Sequence, residues 1–208
     1  MSQMFYNCES LVKLNMKNFV TQNVTNMSEM FWVCRNMKSF DFSSFNTEKV
    51  TNMNFMFSEC ERLVEIDLTK FKTDNLIEMA NMFEECLELK EVNLSSFNTQ
   101  NVYDMSKMFS GCAKLEKINL KNFDTSNVKY MDKMSGFCYK LKELDISNFI
   151  TDKLKSMDYM FRECNSLEKL NISNFICSKT CQMKGVLEKC NSLVNLICSE
   201  EIREKIKP

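Results

Sequence analysis

The chain has 208 residues, 44% of them apolar, and a net charge of −1 from 27 basic and 28 acidic side chains. The length suffices for one or two domains with a buried core, and the near-neutral balance holds no basic stretch to neutralise nucleic-acid phosphates. Histidine is absent, which removes the commonest general base and metal ligand and every Ser–His or Cys–His nucleophile pair.

The opening residues, MSQMFYNCES, lack the basic region and apolar stretch of a signal peptide. No apolar run along the chain approaches a membrane span. From Cys8 onward the sequence is periodic. Cys8, Cys34, Cys60, Cys86, Cys112, Cys138, Cys164 and Cys190 follow at steps of 26. Phe19, Phe45, Phe71, Phe97, Phe123, Phe149 and Phe175 keep the same step, and so do Met27, Met53, Met79, Met105, Met131, Met157 and Met183. The copy from Leu115 to Cys138, LEKINLKNFDTSNVKYMDKMSGFC, shows the unit, with Ser135 standing in its Phe column. A fixed period of this length predicts a solenoid, because one coil cannot enclose a core and must bury its apolar edge against the next.

Two local patterns alternate within each unit. Ile118 and Leu120 flank Asn119 as a half-buried strand would. Met27, Met30, Phe31 and Cys34 fall on one face of a helix of about two turns. Asn26 followed by Glu29 resembles a capping box, and Asn52, Asp104 and Ser156 hold the Asn26 column. The expected architecture is an α/β solenoid of leucine-rich-repeat type with about eight coils, a parallel β-sheet on one face and short helical turns on the other. It forms a single repeat domain over 1–208, with 197–208 as a polar C-terminal cap (ICSEEIREKIKP). The N-terminus starts in mid-repeat, so an uncapped end and end-to-end self-association through it are expected.

Candidate functional positions follow in chain order. Tyr6, Trp32, Val33 and Phe55 occupy positions that are polar in most other copies, a candidate apolar contact patch. The strand column that points outward reads Asn15, Asp41, Asp67, Asn93, Asn119, Asp145 and Asn171, every member Asn or Asp. It is either a polar platform for a partner or a structural side-chain ladder. A calcium ion between Asp41 and Asp67 would need more oxygen ligands than two carboxylates. Beside that column runs a variable one whose members include Glu65, Glu91, Lys117, Glu143 and Lys169, suited to specificity. The eight column cysteines read as buried small hydrophobes, with a disulfide ladder as the alternative. Cys177 and Cys181 fall outside the column and are candidate reactive thiols, or harmless substitutions in a decaying last copy. No catalytic residue, metal site or cofactor is expected, since the chain has no Gly-rich phosphate loop and no C-x-x-C pair.

The run MFEECLELKEVNLSSFNTQNVYDM, from Met82 to Met105, resembles the BspA-type leucine-rich repeat surface proteins of bacteria and protists. The resemblance extends over essentially the whole chain. It implies a right-handed solenoid with a concave parallel sheet, surface display, and a non-enzymatic role in adhesion or in binding a protein or glycan. The alternative is an intracellular leucine-rich-repeat scaffold, because many free thiols suit a reducing compartment.

Overall fold

The computed structural model describes residues 1–206; Lys207 and Pro208, the end of the expected cap, lie outside the described residues. The apolar columns meet in one cluster running through the coils, from Met16 to Ile206. Its clearest rungs are aromatic. Phe31, Phe57, Phe83 and Phe109 stack with near-parallel rings at centroid steps of 5.9, 5.5 and 5.8 Å. A second ladder pairs Phe71 with Phe97 at 6.4 Å and Phe149 with Phe175 at 6.4 Å. Repeating one residue type every 26 positions places like shapes face to face, the arrangement in which a coil loses its apolar edge from water at each step.

On one face the last coils pair as regular strands: β1 (Glu143–Asp145), β2 (Lys169–Asn171) and β3 (Asn195–Ile197). They form a parallel sheet in the order β1-β2-β3, with Leu144, Leu170 and Leu196 in register. Earlier coils join on this face through the Asp67–Asn93 bridge and through single bonds such as Lys90 N–H to the Val64 carbonyl (3.2 Å). The longest line of parallel bridges lies elsewhere, just before the Met column. It links Asn26, Asn52, Glu78, Asp104, Tyr130, Ser156 and Gln182 in succession.

The turn face differs in detail from the expected helix. Glu29 and Val33 have φ of 57° and 63°, and their column mates Phe55, Glu59, Asn81, Glu85 and Lys107 are also left-handed. Left-handed residues interrupt helical hydrogen bonding, so the stretch is a chain of overlapping tight turns, with Met30 N–H on the Met27 carbonyl (3.3 Å) and Cys34 N–H on that of Phe31 (3.0 Å). The intervening amides leave the coil. Met27, Glu29, Phe31 and Val33 donate to the carbonyls of Asn52, Asn54, Met56 and Ser58 on the next coil, at 2.8–3.0 Å. These inter-coil bonds offset a left-handed penalty of about 1–2 kcal/mol per residue. Asn26 makes no capping box: its Oδ1 accepts from Ser28 N–H at 2.8 Å, two residues on, as Asn52 and Asp104 do with Asn54 and Ser106.

Among the described residues the one helix, α1 (Glu200–Lys205), lies in the segment expected as the cap. Ser199 Oγ accepts from Ile202 N–H (3.3 Å), and Glu200 and Glu201 stand in the first turn, where the helix dipole favours them. Ile202 and Ile206 turn inward and close over the last coil. At the other end Phe5, Cys8, Leu11, Leu14, Phe19 and Val24 are only half-buried, whereas Phe31, Cys34, Met37, Phe45 and Val50 one coil later are buried.

Candidate functional site

The uniform Asn/Asp column sits on the strand face, exposed except for half-buried Asn171. Each member makes the same bond. Oδ1 of Asn15, Asp41, Asp67, Asn93, Asn119, Asp145 and Asn171 accepts from the backbone N–H two residues on, at 2.9–3.2 Å. A side-chain oxygen at this reach turns the chain out of the strand, which accounts for the restriction to Asn and Asp. At three positions a hydroxyl adds to it. Hydrogen bonds from Ser43, Thr69 and Ser147 hold the carboxyls of Asp41, Asp67 and Asp145 below the usual range. Among the described residues no group of three or more Cys, Asp or Glu side chains converges on a metal position.

The variable column beside it borders two open grooves on this face. One, of 820 Å³, lies over the earlier coils; Phe40, Ile66 and Val92 form its floor, and Glu65, Asp67 and Glu91 charge its rim, with no cation among its lining residues. The other, of 530 Å³, lies over β1–β3, where Lys117, Lys121 and Lys169 stand with Glu143 and Asp145 around Ile118, Leu144 and Leu170. Lys169 and Glu143 pair loosely across adjacent strands (4.0 Å). The face therefore runs from an acidic groove to one in which lysines outnumber carboxylates. Asn15 lies before both grooves, and Asp41 lines neither.

The turn-face patch is only partly as expected. Tyr6, Trp32 and Phe55 form a staircase, with centroid steps of 5.0 and 5.3 Å. Tyr6 is exposed and the other two are half-buried. Val33 is not part of an exposed patch: it is 7% exposed, because its amide is drawn onto the Ser58 carbonyl and the adjacent coils close over it. The staircase is anchored electrostatically. Trp32 Nε1 donates to Glu59 (3.3 Å), and Arg35 bridges Glu9, Glu59 and Glu61 at 3.1, 2.6 and 2.9 Å.

The cysteine column does more than fill space. Cys34, Cys60, Cys86, Cys112, Cys138, Cys164 and Cys190 each donate a thiol hydrogen to a carbonyl 29 residues earlier, at 2.9–3.4 Å. Burial pushes the Cys34 and Cys138 thiols up to about 12, so they are poor nucleophiles. Cys177 and Cys181 are brought together: each thiol shifts the titration of the other, Thr151 also acts on Cys177, and the Lys205 ammonium lies near the pair. The Cys181 thiol itself makes a long contact to the Gln182 carbonyl (3.7 Å). Cys177 is buried and Cys181 half-buried. A role that sequence reasoning did not assign is that of the repeating threonine. Thr47, Thr73, Thr99, Thr125 and Thr151 are buried, and each hydroxyl donates to a carbonyl of the next coil. Its signal was the repeated Thr two residues after the Phe.

The profile of a family described as "Mycoplasma protein of unknown function, DUF285" matches residues 1–92 and 87–199. No curated protein matches the chain. Among solved structures, a leucine-rich repeat protein of T. pallidum is 18% identical and superposes with a TM-score of 0.55, over 88% of this chain and 75% of its own. A leucine-rich cell surface protein from Faecalibacterium prausnitzii A2-165 is 17% identical, covering 99% of this chain and 71% of its own, at a TM-score of 0.31. A leucine-rich repeat protein from Bacteroides ovatus ATCC 8483 is 16% identical, covering 93% and 62%, also at 0.31. The first of these shares the fold of the chain, a leucine-rich-repeat solenoid; the other two superpose too loosely to carry an argument.

Proposed function

The chain belongs to the DUF285 family, and we propose that it is a non-enzymatic protein-interaction module whose strand face receives an extended, basic segment of a partner protein. The observation that carries this reading is the 820 Å³ groove with an apolar floor at Phe40, Ile66 and Val92 and a rim of Glu65, Asp67 and Glu91. Apolar contact supplies affinity, and three carboxylates with no cation among the groove's own lining residues favour lysine and arginine and repel acidic segments. Lys70 near Asp67, and Lys90 and Lys117 beside Glu65 and Glu91, offset part of that charge. A glycan offers no comparable positive charge, so a protein fits better.

The test uses synthetic peptides alternating lysine with valine or leucine, and acidic counterparts with glutamate in place of lysine, followed by fluorescence anisotropy. The basic peptide binds, its affinity falls with added salt, and Glu65→Lys with Glu91→Lys abolishes binding. Equal binding of the acidic peptide overturns the proposal. So does a loss that tracks Tyr6→Ala and Trp32→Ala instead, which places contact on the turn face.

By resemblance to the BspA-type surface proteins, the module acts in adhesion or recognition at a cell surface. The second reading, an intracellular scaffold, is favoured by the eleven free cysteines, which persist in reducing compartments. Counting reactive thiols in unfolded, non-reduced native protein separates the two. A full set weakens the surface reading, and several bridges sink the intracellular one.

A further inference from the structure

Most of the thiols are tied into the coil stack. Cys34, Cys60, Cys86, Cys112, Cys138 and Cys164 of the repeat column face carbonyls and are closed off from water. Cys177 stands where the repeat has threonine, and the turn that follows, closed by Cys181 N–H on the Ser178 carbonyl (3.1 Å), brings a second sulfur back to it. The C-terminal helix completes the setting. Lys205 Nζ donates to the Cys177 carbonyl (3.4 Å) and is itself held by Glu201 (2.7 Å). A sulfur beside a second thiol and an ammonium is favoured as thiolate, the form that reacts, and the bond competing for the Cys181 thiol is a long one to the Gln182 carbonyl (3.7 Å). Glu201 and Asp132 are the opposing charges near the pair, and Glu201 is already engaged by Lys205.

We infer that Cys177 and Cys181 are an oxidation-responsive pair that closes to an intramolecular disulfide when the folded protein meets a peroxide. The Cys177 thiolate attacks one peroxide oxygen; the O–O bond breaks, hydroxide leaves, and Cys177 becomes a sulfenic acid. The Cys181 sulfur then attacks the Cys177 sulfur. The S–S bond forms, the S–O bond breaks, and the departing hydroxide takes the Cys181 proton. The proton lost when Cys177 ionised neutralises the first hydroxide. In sum two thiols and one hydrogen peroxide give a disulfide and two waters. Cys164 and Cys190 also lie close, but their thiols bond to carbonyls at 3.0 and 2.9 Å, far more tightly than Cys181 to Gln182 at 3.7 Å, and no cation is among the groups that shift them.

Lys179 separates the two cysteines, so trypsin cuts between them. The folded chain is treated with one equivalent of hydrogen peroxide, unfolded in iodoacetamide, and mapped without reduction. The expected product is LNISNFICSK joined to TCQMK, released as two peptides by reductant. Lys205→Met slows its appearance by about tenfold, because less of Cys177 is ionised without the ammonium, and Lys205→Arg restores it. In Cys181→Ser the linked product is lost and Cys177 is trapped by dimedone. This variant keeps α1 and Lys205, so it tests the pair even where Lys205→Met loosens the helix. A Cys164–Cys190 link, bridges between molecules, or oxidation of Cys8 or Cys198 ahead of the pair overturns the inference.

Discussion

The hydroxyl of Thr125 donates to the carbonyl of Ile150 at 2.9 Å, and the amide of Ile150 donates back to the same oxygen at 2.8 Å. One side chain thus satisfies both backbone polar groups of one residue on the next coil. Thr125→Val keeps the shape and removes both bonds, leaving a partly buried donor and acceptor without partners, at a cost of about 2 kcal/mol. Thr125→Ser retains the oxygen and loses only a methyl group. Urea denaturation of the two variants checks the order, Val below Ser below wild type.

Alanine at the glycines distinguishes overlapping tight turns from a helix. Gly136 has ordinary backbone, and a Cβ there meets nothing closer than 3.4 Å; Gly136→Ala stays within about 0.5 kcal/mol of wild type. Gly111 is left-handed at φ 77°, so Gly111→Ala costs about 1 kcal/mol, the Glu85 carboxylate at 2.7 Å being free to swing away. Gly185→Ala costs more than either, because φ is 57° and the new Cβ lies 2.6 Å from the rigid Tyr159 ring. A helical turn face would instead gain stability at all three, so a thermal-melt series decides.

The buried thiols set an alkaline limit. Cys34 and Cys138 are pushed up to about 12, and Cys60, Cys86 and Cys112 are raised too, in each case mainly by burial. A thiol with a raised folded value stays protonated while the unfolded chain ionises it, from about pH 8.5. Its stabilisation is therefore complete below that pH and is lost as pH rises toward the folded value. The melting temperature is expected to hold from neutrality to about pH 8.5 and to fall steadily above it. Cys34→Ala with Cys138→Ala lowers the neutral value through lost packing and makes the alkaline fall shallower.

The strand-turn aspartates act at the other end of the pH scale. Asp41, Asp67 and Asp145 have depressed values, chiefly through hydroxyl hydrogen bonds. Stability from a depressed carboxyl is present above its unfolded value of about 4 and is lost as pH falls through the folded one. Replacing all three by Asn keeps each Oδ1 acceptor and flattens this acid limb, whereas Asp67→Ala removes the turn bond and lowers the melting temperature at neutral pH. Circular dichroism melts between pH 2 and 7 measure both.

Much of the fold was legible because its columns repeat. Phe31 and Phe57 stack, as two phenylalanines 26 residues apart in successive coils should. The left-handed turns were not legible. Gln3, Glu29, Phe55, Asn81, Lys107, Lys133, Tyr159 and Gly185 share one left-handed column, yet they have no chemistry in common and only the last is glycine. Their conformation is imposed by the hydrogen bonds that neighbouring coils offer, and tertiary contacts of this kind override local preference. For the same reason Val33 looked like surface and is buried.

In the candidate site the residue types were visible and their neighbours were not. The Asn/Asp restriction was plain in the sequence, but that Asp67 Oδ1 accepts the Thr69 amide at 2.9 Å depends on how the strand ends. Cys177 and Cys181 stood out by leaving the repeat, while Lys205 reaches them only because α1 folds back over the last coil.

The sequence by itself determined the period, the stacking and the apolar ladders, since burial of like side chains every 26 residues has one economical solution. Only the tertiary structure decided where each polar group is satisfied. A thiol, hydroxyl or amide has several acceptors within reach along its own coil, and the choice among them belongs to the coil packed against it.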